Sequence, residues 1–351
     1  MPAEGQIAGV CPETAGVGIP PDTVVLTAAP AVNVAKARGP LALRTAPARL
    51  DAGQVGGLAR SALCAEARLT PKPGLVDTRS GGAHGDMTLE LLLASADALA
   101  EPVADCFGAG QSLPVGESLR ACLGRIGRAG EARMLRATGG VNTHRGALWA
   151  LGLLAAGLGA TGTLQGAGEF AAAIAAIADP DPESSRPSHG TRVRQGYGAP
   201  GARGEALAGF PHVLKVALPA LRAGRGSGAS EEAARLDALL AVMARMEDTC
   251  LLHRGGPRGL SAVRRMASAV LEVGGCGTPC GRERLAALDD YCLAHRLSAG
   301  GSGDTLAAAL FLDAAEAGVA TSRLSAAEAG VATAHLSASE AGPRQTDMEL
   351  P

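Results

Sequence analysis

The chain has 351 residues, of which 47% are hydrophobic but only 2% aromatic, and its formal net charge is −2. So few aromatics argue against a base-stacking platform for single-stranded nucleic acid, and so balanced a charge argues against a basic face for nucleic acid or an anionic membrane. The length allows one large or two ordinary domains, with a core built from Ala, Leu and Val.

Only three of the 32 basic residues are lysines (Lys36, Lys72 and Lys215), so an ammonium at Lys72 is a sparing choice in this composition. The eight cysteines are scattered, and Cys276 and Cys280 have metal-like spacing but no second pair nearby, so they read as a plain loop. There is no secretory-leader pattern and no apolar run of about 18 residues. The expectation is a soluble cytoplasmic protein without a membrane or nucleic-acid partner.

In chain order, residues 1–50 are rich in Pro, Ala, Gly and Val without a period and read as a mostly disordered extension. From Ala52 the spacing of Val55, Leu58, Ala62, Ala65 and Leu69 predicts a helix that Pro71 and Pro73 stop. Met87–Leu99 reads as a second helix with Asp86 as its cap. A third spans Leu119–Leu135 and stops at Gly139-Gly140. Thr143 is placed to cap a very apolar helix over 147–158, and 164–178 is another. Asp179–Tyr197 is a polar loop with three prolines, long enough for a lid. Pro211 opens a further helix. Glu231–Leu252 reads as one long amphipathic helix ended by Gly255-Gly256, and segments near 260–273, 282–295 and 305–317 complete the set. No strand pattern stands out. The sequence predicts an all-α fold: one globular domain of roughly ten helices over 51–320, with polar, glycine-rich loops at helix ends forming one pocket. In the tail, 321–351, a 12-residue unit beginning Ala314-Ala-Glu-Ala-Gly-Val-Ala-Thr321 is repeated from Ala326, too few copies for a solenoid. It reads as a frayed extension.

Six clusters of charge and glycine interrupt the apolar helices. Thr70-Pro-Lys-Pro-Gly-Leu-Val-Asp77 is a rigid turn that can aim Lys72 into a pocket or simply end a helix beside an exposed lysine. In Gly82-Ala-His-Gly-Asp-Met87, His84 and Asp86, together with Asp77, could bind a divalent cation or move protons, although Asp86 could equally be a cap. Thr138-Gly-Gly-Val-Asn-Thr-His-Arg-Gly146 sets Asn142, Thr143, His144 and Arg145 at a helix start, where backbone N–H groups and the dipole favour phosphate. Gly201-Ala-Arg-Gly-Glu205 offers Arg203 as a phosphate clamp or as a partner for Glu205. Asp248-Thr-Cys-Leu-Leu-His-Arg-Gly-Gly256 places His253 and Arg254 where a helix C-terminus would favour them and Asp248 where the dipole would not. Ser298-Ala-Gly-Gly-Ser-Gly-Asp304 reads as a loop in which Gly300, Gly301 and Ser302 form an anion nest or present Asp304 to a metal. Convergence of these clusters would suit a phosphorylated substrate with a divalent cation.

Taken together and in this order, the clusters resemble the triphosphoribosyl-dephospho-CoA synthase family over about residues 58–313. The matching pieces include Arg203-Gly-Glu-Ala, with Gly-Phe-Pro at 209–211, besides the segments quoted above. This family makes the prosthetic-group precursor of the citrate lyase and malonate decarboxylase acyl carrier proteins. At the last cluster the family has Ser-Pro-Gly-Gly-Ser-Ala-Asp-Leu-Leu, whereas this chain has Ala299, Gly303 and Thr305, a change expected to loosen the turn that aims Asp304.

The resemblance implies transfer of the ribose triphosphate of ATP to the ribose 2′-hydroxyl of 3′-dephospho-CoA, with adenine leaving and the product passed to a holo-acyl-carrier-protein synthase. A stand-alone synthase favours the malonate decarboxylase system. For that reaction the clusters offer Lys72, Arg145, Arg203 and Arg254 for phosphates, with Asn142, Thr143, His253, Gly300, Gly301 and Ser302 beside them. Asp77, Asp86 and Asp304 are offered for Mg2+ or another divalent cation, and His84, Asp86, His144, Glu205 and Asp248 for the chemistry at the sugar. Two other readings stand beside it: a metal-dependent hydrolase loosely similar, through Gly300–Ala307, to ADP-ribosylglycohydrolases, and a nucleotide-binding relative without activity.

Overall fold

The computed structural model describes residues 50–181 and 196–318, and all regular structure among them is helical. The expected all-α architecture is therefore observed. Residues 1–49 of the extension read over 1–50, 182–195 of the loop read over Asp179–Tyr197, and the tail beyond 318 lie outside the described residues.

Helix α1 (Ala52–Arg68) starts at a reciprocal cap: Gln54 N donates to Asp51 Oδ1 (2.7 Å) and Asp51 N to Gln54 Oε1 (2.9 Å). Its apolar stripe of Val55, Ala59, Ala62 and Leu63 is buried. Helix α2 (Leu89–Ser112) is longer than the spacing predicted and begins later. Its cap is Thr88, whose Oγ1 accepts from Leu91 N at 3.4 Å, rather than Asp86. It continues through Pro102, which is buried on the face packed toward α3 (Glu117–Ala137). As predicted, α3 stops at left-handed Gly139 and Gly140 (φ 64° and 93°).

Helix α4 (Arg145–Thr161) is buried on nearly every side, as an all-round apolar sequence requires, and the chain bends by 117° into α5 (Leu164–Ala176). Among the described residues no single helix is long and apolar enough to cross a membrane. Then come α6 (Gly201–Leu207), a π-helical segment (His212–Ala217) running into α7 (Leu218–Gly226), α8 (Glu231–Met243), α9 (Thr249–Glu272), α10 (Pro279–Ala294) and α11 (300–318).

Two of the predicted boundaries are corrected. The helix read as continuous over Glu231–Leu252 breaks after Met243, because Asp248 starts a new helix as its N-cap. The chain does not stop at Gly256 but kinks there (φ 59°, ψ −166°), and Pro257 restarts the helical run in a position where its missing N–H costs nothing.

Helix α1 packs on α2, α2 on α3 and α4, and α4 on α5, while α8 packs on α7 and α9, and α9 on α10. One continuous core joins them, running from Val55 and Leu63 through Leu99, Leu151 and Leu239 to Phe311. Burial of each such large apolar side chain contributes about 1.5–3 kcal/mol. A small separate cluster of Ala67, Val76 and Leu92, with Met87 and Leu89 against it, sits beside the cavity described next.

Candidate active site

A cavity of about 480 Å³ opens where the end of α1, the turn after it, the 84–87 segment and the starts of α4, α9 and α11 meet. Its wall includes Lys72, His84, Asp86, Asn142, His144, His253, Arg254, Gly300 and Asp304, so the structure brings together residues from five of the six clusters. Val76, Met87 and Leu92 form its apolar side.

The floor is the least solvated part. Lys72 is 1% exposed, and its Nζ donates to Glu66 Oε1 at 2.6 Å. Glu66 was not singled out from the sequence, where it looks like an ordinary helix residue. The available signal was its position on the 55, 59, 62, 66 stripe of α1, a carboxylate in an otherwise apolar row.

Asp304 reaches the start of α4, where its carboxyl packs against Gly146. Gly146 makes that approach possible, because a Cβ there would stand 2.0 Å from Asp304 Oδ2. Burial, reinforced by the charges of Glu66 and Asp248, raises the Asp304 pKa well above the ordinary carboxylate value. The group therefore keeps its proton at pH values where an ordinary aspartate has lost it.

His144 precedes α4 without capping it. Its Nδ1 is 2.8 Å from Ser95 Oγ, and its buried Nε2 has no partner. Burial pulls its pKa down to about 4, which leaves a neutral ring. The predicted cap at Thr143 is not formed: Thr143 Oγ1 is buried without a partner, and Asn142 Oδ1 instead accepts from Arg145 N at 3.3 Å.

At the mouth, Arg254 donates to Ala83 O (3.1 Å), Arg296 O (3.2 Å) and His84 Nδ1 (3.1 Å). A guanidinium only donates, so the His84 proton sits on Nε2 and is donated to Ser298 Oγ at 2.8 Å. Burial and the Arg254 charge lower the His84 pKa. Asp86 is exposed on the rim, with an oxygen 3.8 Å from His84 Nδ1.

Other expected site residues are engaged by groups of the protein itself. Asp248 caps α9 by accepting from Cys250 N (2.8 Å) and Leu251 N (3.4 Å), and its second oxygen accepts from Ser302 N (2.8 Å) and Ser302 Oγ (2.9 Å). It sits at a helix start, where the dipole favours it, and not at a helix end. The predicted glycine nest is absent: Gly300, Gly301 and Ser302 form the first turn of α11, and Gly301 packs on Asp248. Nor is that turn loosened without its proline. Ala299 is buried, and its carbonyl accepts from Ser302 N (3.0 Å) and Gly303 N (3.1 Å).

The structure does not assemble the expected metal trio. Asp77 lies outside the cavity wall, accepting from Lys72 N (3.1 Å) and from Arg79 Nη2 (2.6 Å), which also bridges to Asp289. Asp86 is on the rim and Asp304 on the floor. Among the described residues, no group of three or more His, Cys, Asp or Glu is arranged to hold a metal ion. Arg145 turns outward to Glu131 and Arg203 is exposed. Glu205 is occupied by His212, accepting from its backbone N at 2.7 Å with Nδ1 also 2.7 Å away.

Residues 52–323 match the family described as ATP:dephospho-CoA triphosphoribosyl transferase. The chain is 50% identical over 276 residues to a probable 2-(5''-triphosphoribosyl)-3'-dephosphocoenzyme-A synthase of Stutzerimonas stutzeri, covering 78% of this chain and 94% of that protein. It is 48% identical over 258 residues to the 2-(5''-triphosphoribosyl)-3'-dephosphocoenzyme-A synthase of Klebsiella pneumoniae, covering 73% of this chain and 92% of that protein. No solved structure matches the chain. With a family match that runs from the first described helix to the last, and motif residues that meet at one cavity, the chain belongs to the ATP:dephospho-CoA triphosphoribosyl transferase family, a family of enzymes.

Proposed function

We propose that this protein transfers the 5-triphosphoribosyl group of ATP to the ribose 2′-hydroxyl of 3′-dephospho-CoA. The C1′–N9 bond of ATP breaks with its electron pair going to adenine, a bond forms between C1′ and the acceptor oxygen, and the acceptor's proton ends on adenine. The product is 2′-(5″-triphosphoribosyl)-3′-dephospho-CoA. The observation that carries this reading is the family match over 52–323, with residues from five of the six clusters gathered around the cavity.

The cavity offers what such a displacement asks for. The Glu66 carboxylate lines the cavity, and negative charge near an anomeric carbon stabilises the positive charge that develops there. Arg254 supplies positive charge at the mouth. A divalent cation carried by the triphosphate belongs to the same reading; among the described residues no three His, Cys, Asp or Glu are placed to hold one.

We further propose that the product goes to a holo-acyl-carrier-protein synthase serving malonate decarboxylase rather than citrate lyase, and that the enzyme works in the cytoplasm with its two substrates. The test is mass spectrometry of the products formed from ATP and 3′-dephospho-CoA. Free adenine, formed only when dephospho-CoA is present, is expected; ADP or AMP in its place overturns the proposal.

A further inference from the structure

We propose that the cavity floor, formed by Glu66, Asp304 and His144 around Lys72, is a ribose seat, and that the triphosphate lies at the mouth beside Arg254. This inference rests on the transferase reading above and assigns the two ends of ATP to the two ends of its cavity.

The floor is built to accept hydrogen bonds. Glu66 gives Oε1 to Lys72, which leaves Oε2. Asp304 lines the cavity, and a carboxyl oxygen there can accept. His144 lines the cavity, is 3% exposed, and has an Nε2 with no partner. A buried polar atom without a partner is costly, and a ligand that supplies one removes the cost. The hydroxyls of a ribose can donate to carboxyl oxygens and can also accept from an imidazole N–H, so one sugar ring answers all of these groups.

A triphosphate would fit the floor badly. The floor's cation is Lys72, which Glu66 neutralises at 2.6 Å, and Asp304 adds a second carboxyl group within the field of Glu66. Polyphosphate oxygens brought there would meet the Glu66 carboxylate and a Lys72 charge already neutralised, with no free positive charge to offset their own. At the mouth the relation is reversed: Arg254 is exposed, and Asn142 and His253 stand on the same wall. Gly303 adds to the fit at the floor, since a Cβ at that position would stand 3.0 Å from Glu66 Oε1.

The test is calorimetric binding to the full chain of ATP, 2′-deoxy-ATP, 3′-deoxy-ATP and inorganic tripolyphosphate. Wild type, Asp304→Asn, Glu66→Gln and Arg254→Ala are compared, with circular dichroism confirming that each is folded. Wild type is expected to prefer ATP over at least one deoxy analogue by roughly tenfold or more, the worth of a hydrogen bond to a charged group. That preference should shrink below about threefold in Asp304→Asn or Glu66→Gln, while tripolyphosphate binds as before. Arg254→Ala should weaken tripolyphosphate roughly tenfold. Equal binding of ATP and both deoxy analogues by wild type overturns the ribose seat, as does loss of tripolyphosphate binding in the floor variants. If the preference is found but no adenine is released, the seat stands and the transferase reading falls. If adenine is released without the preference, the reverse holds.

Discussion

Lys72 Nζ and Glu66 Oε1 lie 2.6 Å apart, with side chains only 2% and 7% exposed. The helix that supplies Glu66 ends at Arg68, and the proline-rich turn folds Lys72 back against it. Removing one member of a buried ion pair leaves the other charge uncompensated, at a cost of about 3–5 kcal/mol, whereas removing both can be nearly neutral. Urea unfolding should therefore show Lys72→Met and Glu66→Gln each strongly destabilised. The double variant should recover most of the loss in stability but not the enzymatic activity. Single-variant losses below about 1 kcal/mol would mean that the pair is solvated.

Gly146 and Asp304 are a second coupled pair. A methyl at 146 would occupy the place of the Asp304 carboxylate, 2.0 Å from Oδ2. Since alanine is otherwise the better helix former, Gly146→Ala tests the contact rather than helix propensity. Adenine release should fall by about 100-fold, the scale of an ångström-sized misplacement at a reacting centre. Circular dichroism should show the helical content retained.

Arg254 and Arg145 were equivalent candidates in the sequence, and the structure separates them. Arg145 pairs with Glu131 on the surface, while Arg254 stands at the cavity mouth and ties it to Ala83 and Arg296. Exposed ion pairs are worth only about 0–1 kcal/mol. Arg145→Ala should leave kcat/KM for ATP within a few-fold of wild type, and Arg254→Ala should raise KM by about tenfold. The opposite order in steady-state kinetics would return Arg145 to the phosphate site.

How much of this was legible beforehand follows from the length scale of each signal. Helix type and number came from periodicity, a local property that burial reinforces. What sequence reasoning misplaced were residues whose role depends on distant partners. Asp248 looked misplaced at the end of a long helix until Ser302, 54 residues away, turned it into a cap shared by α9 and α11. Asp77, expected as a metal ligand, accepts from Arg79, whose Nη2 also reaches Asp289. Glu66 went unnoticed because one carboxylate on a helix is ordinary until its burial is known. The glycines of 300–303 suggested a loop because they break helices in isolation, yet here they let α11 begin hard against Asp248, Cys250 and Glu66.

Asp248 makes a stability prediction distinct from those for the floor. Four donors converge on its carboxylate. Replacing an N-cap carboxylate by alanine costs about 0.5–2 kcal/mol, and the Ser302 groups left unsatisfied add to that. Asp248→Ala should therefore lower Tm more than Ser302→Ala does in differential scanning calorimetry, because Ser302→Ala removes a single donor from the carboxylate. Equal effects would show that the α9 cap contributes nothing beyond the link to α11.

The two floor groups with shifted pKa values should also leave opposite signatures in stability against pH. The His144 pKa falls from 6.5 in the unfolded chain to about 4 in the folded one. Its contribution is fully present above pH 6.5 and is lost as pH falls toward 4, a change on the order of 3 kcal/mol. Asp304 behaves in the reverse sense. Its folded pKa is raised above 3.8, so its contribution is present below that pH and is lost as pH rises through the folded value. Between pH 4 and 6.5 the two therefore partly cancel in the wild-type protein. Denaturant unfolding across this range should show a steeper rise of stability with pH in Asp304→Asn, because only the His144 contribution remains. In His144→Gln the rise should disappear and a gentle fall replace it. Parallel curves for both variants and wild type would show that neither group is perturbed in solution as its burial requires.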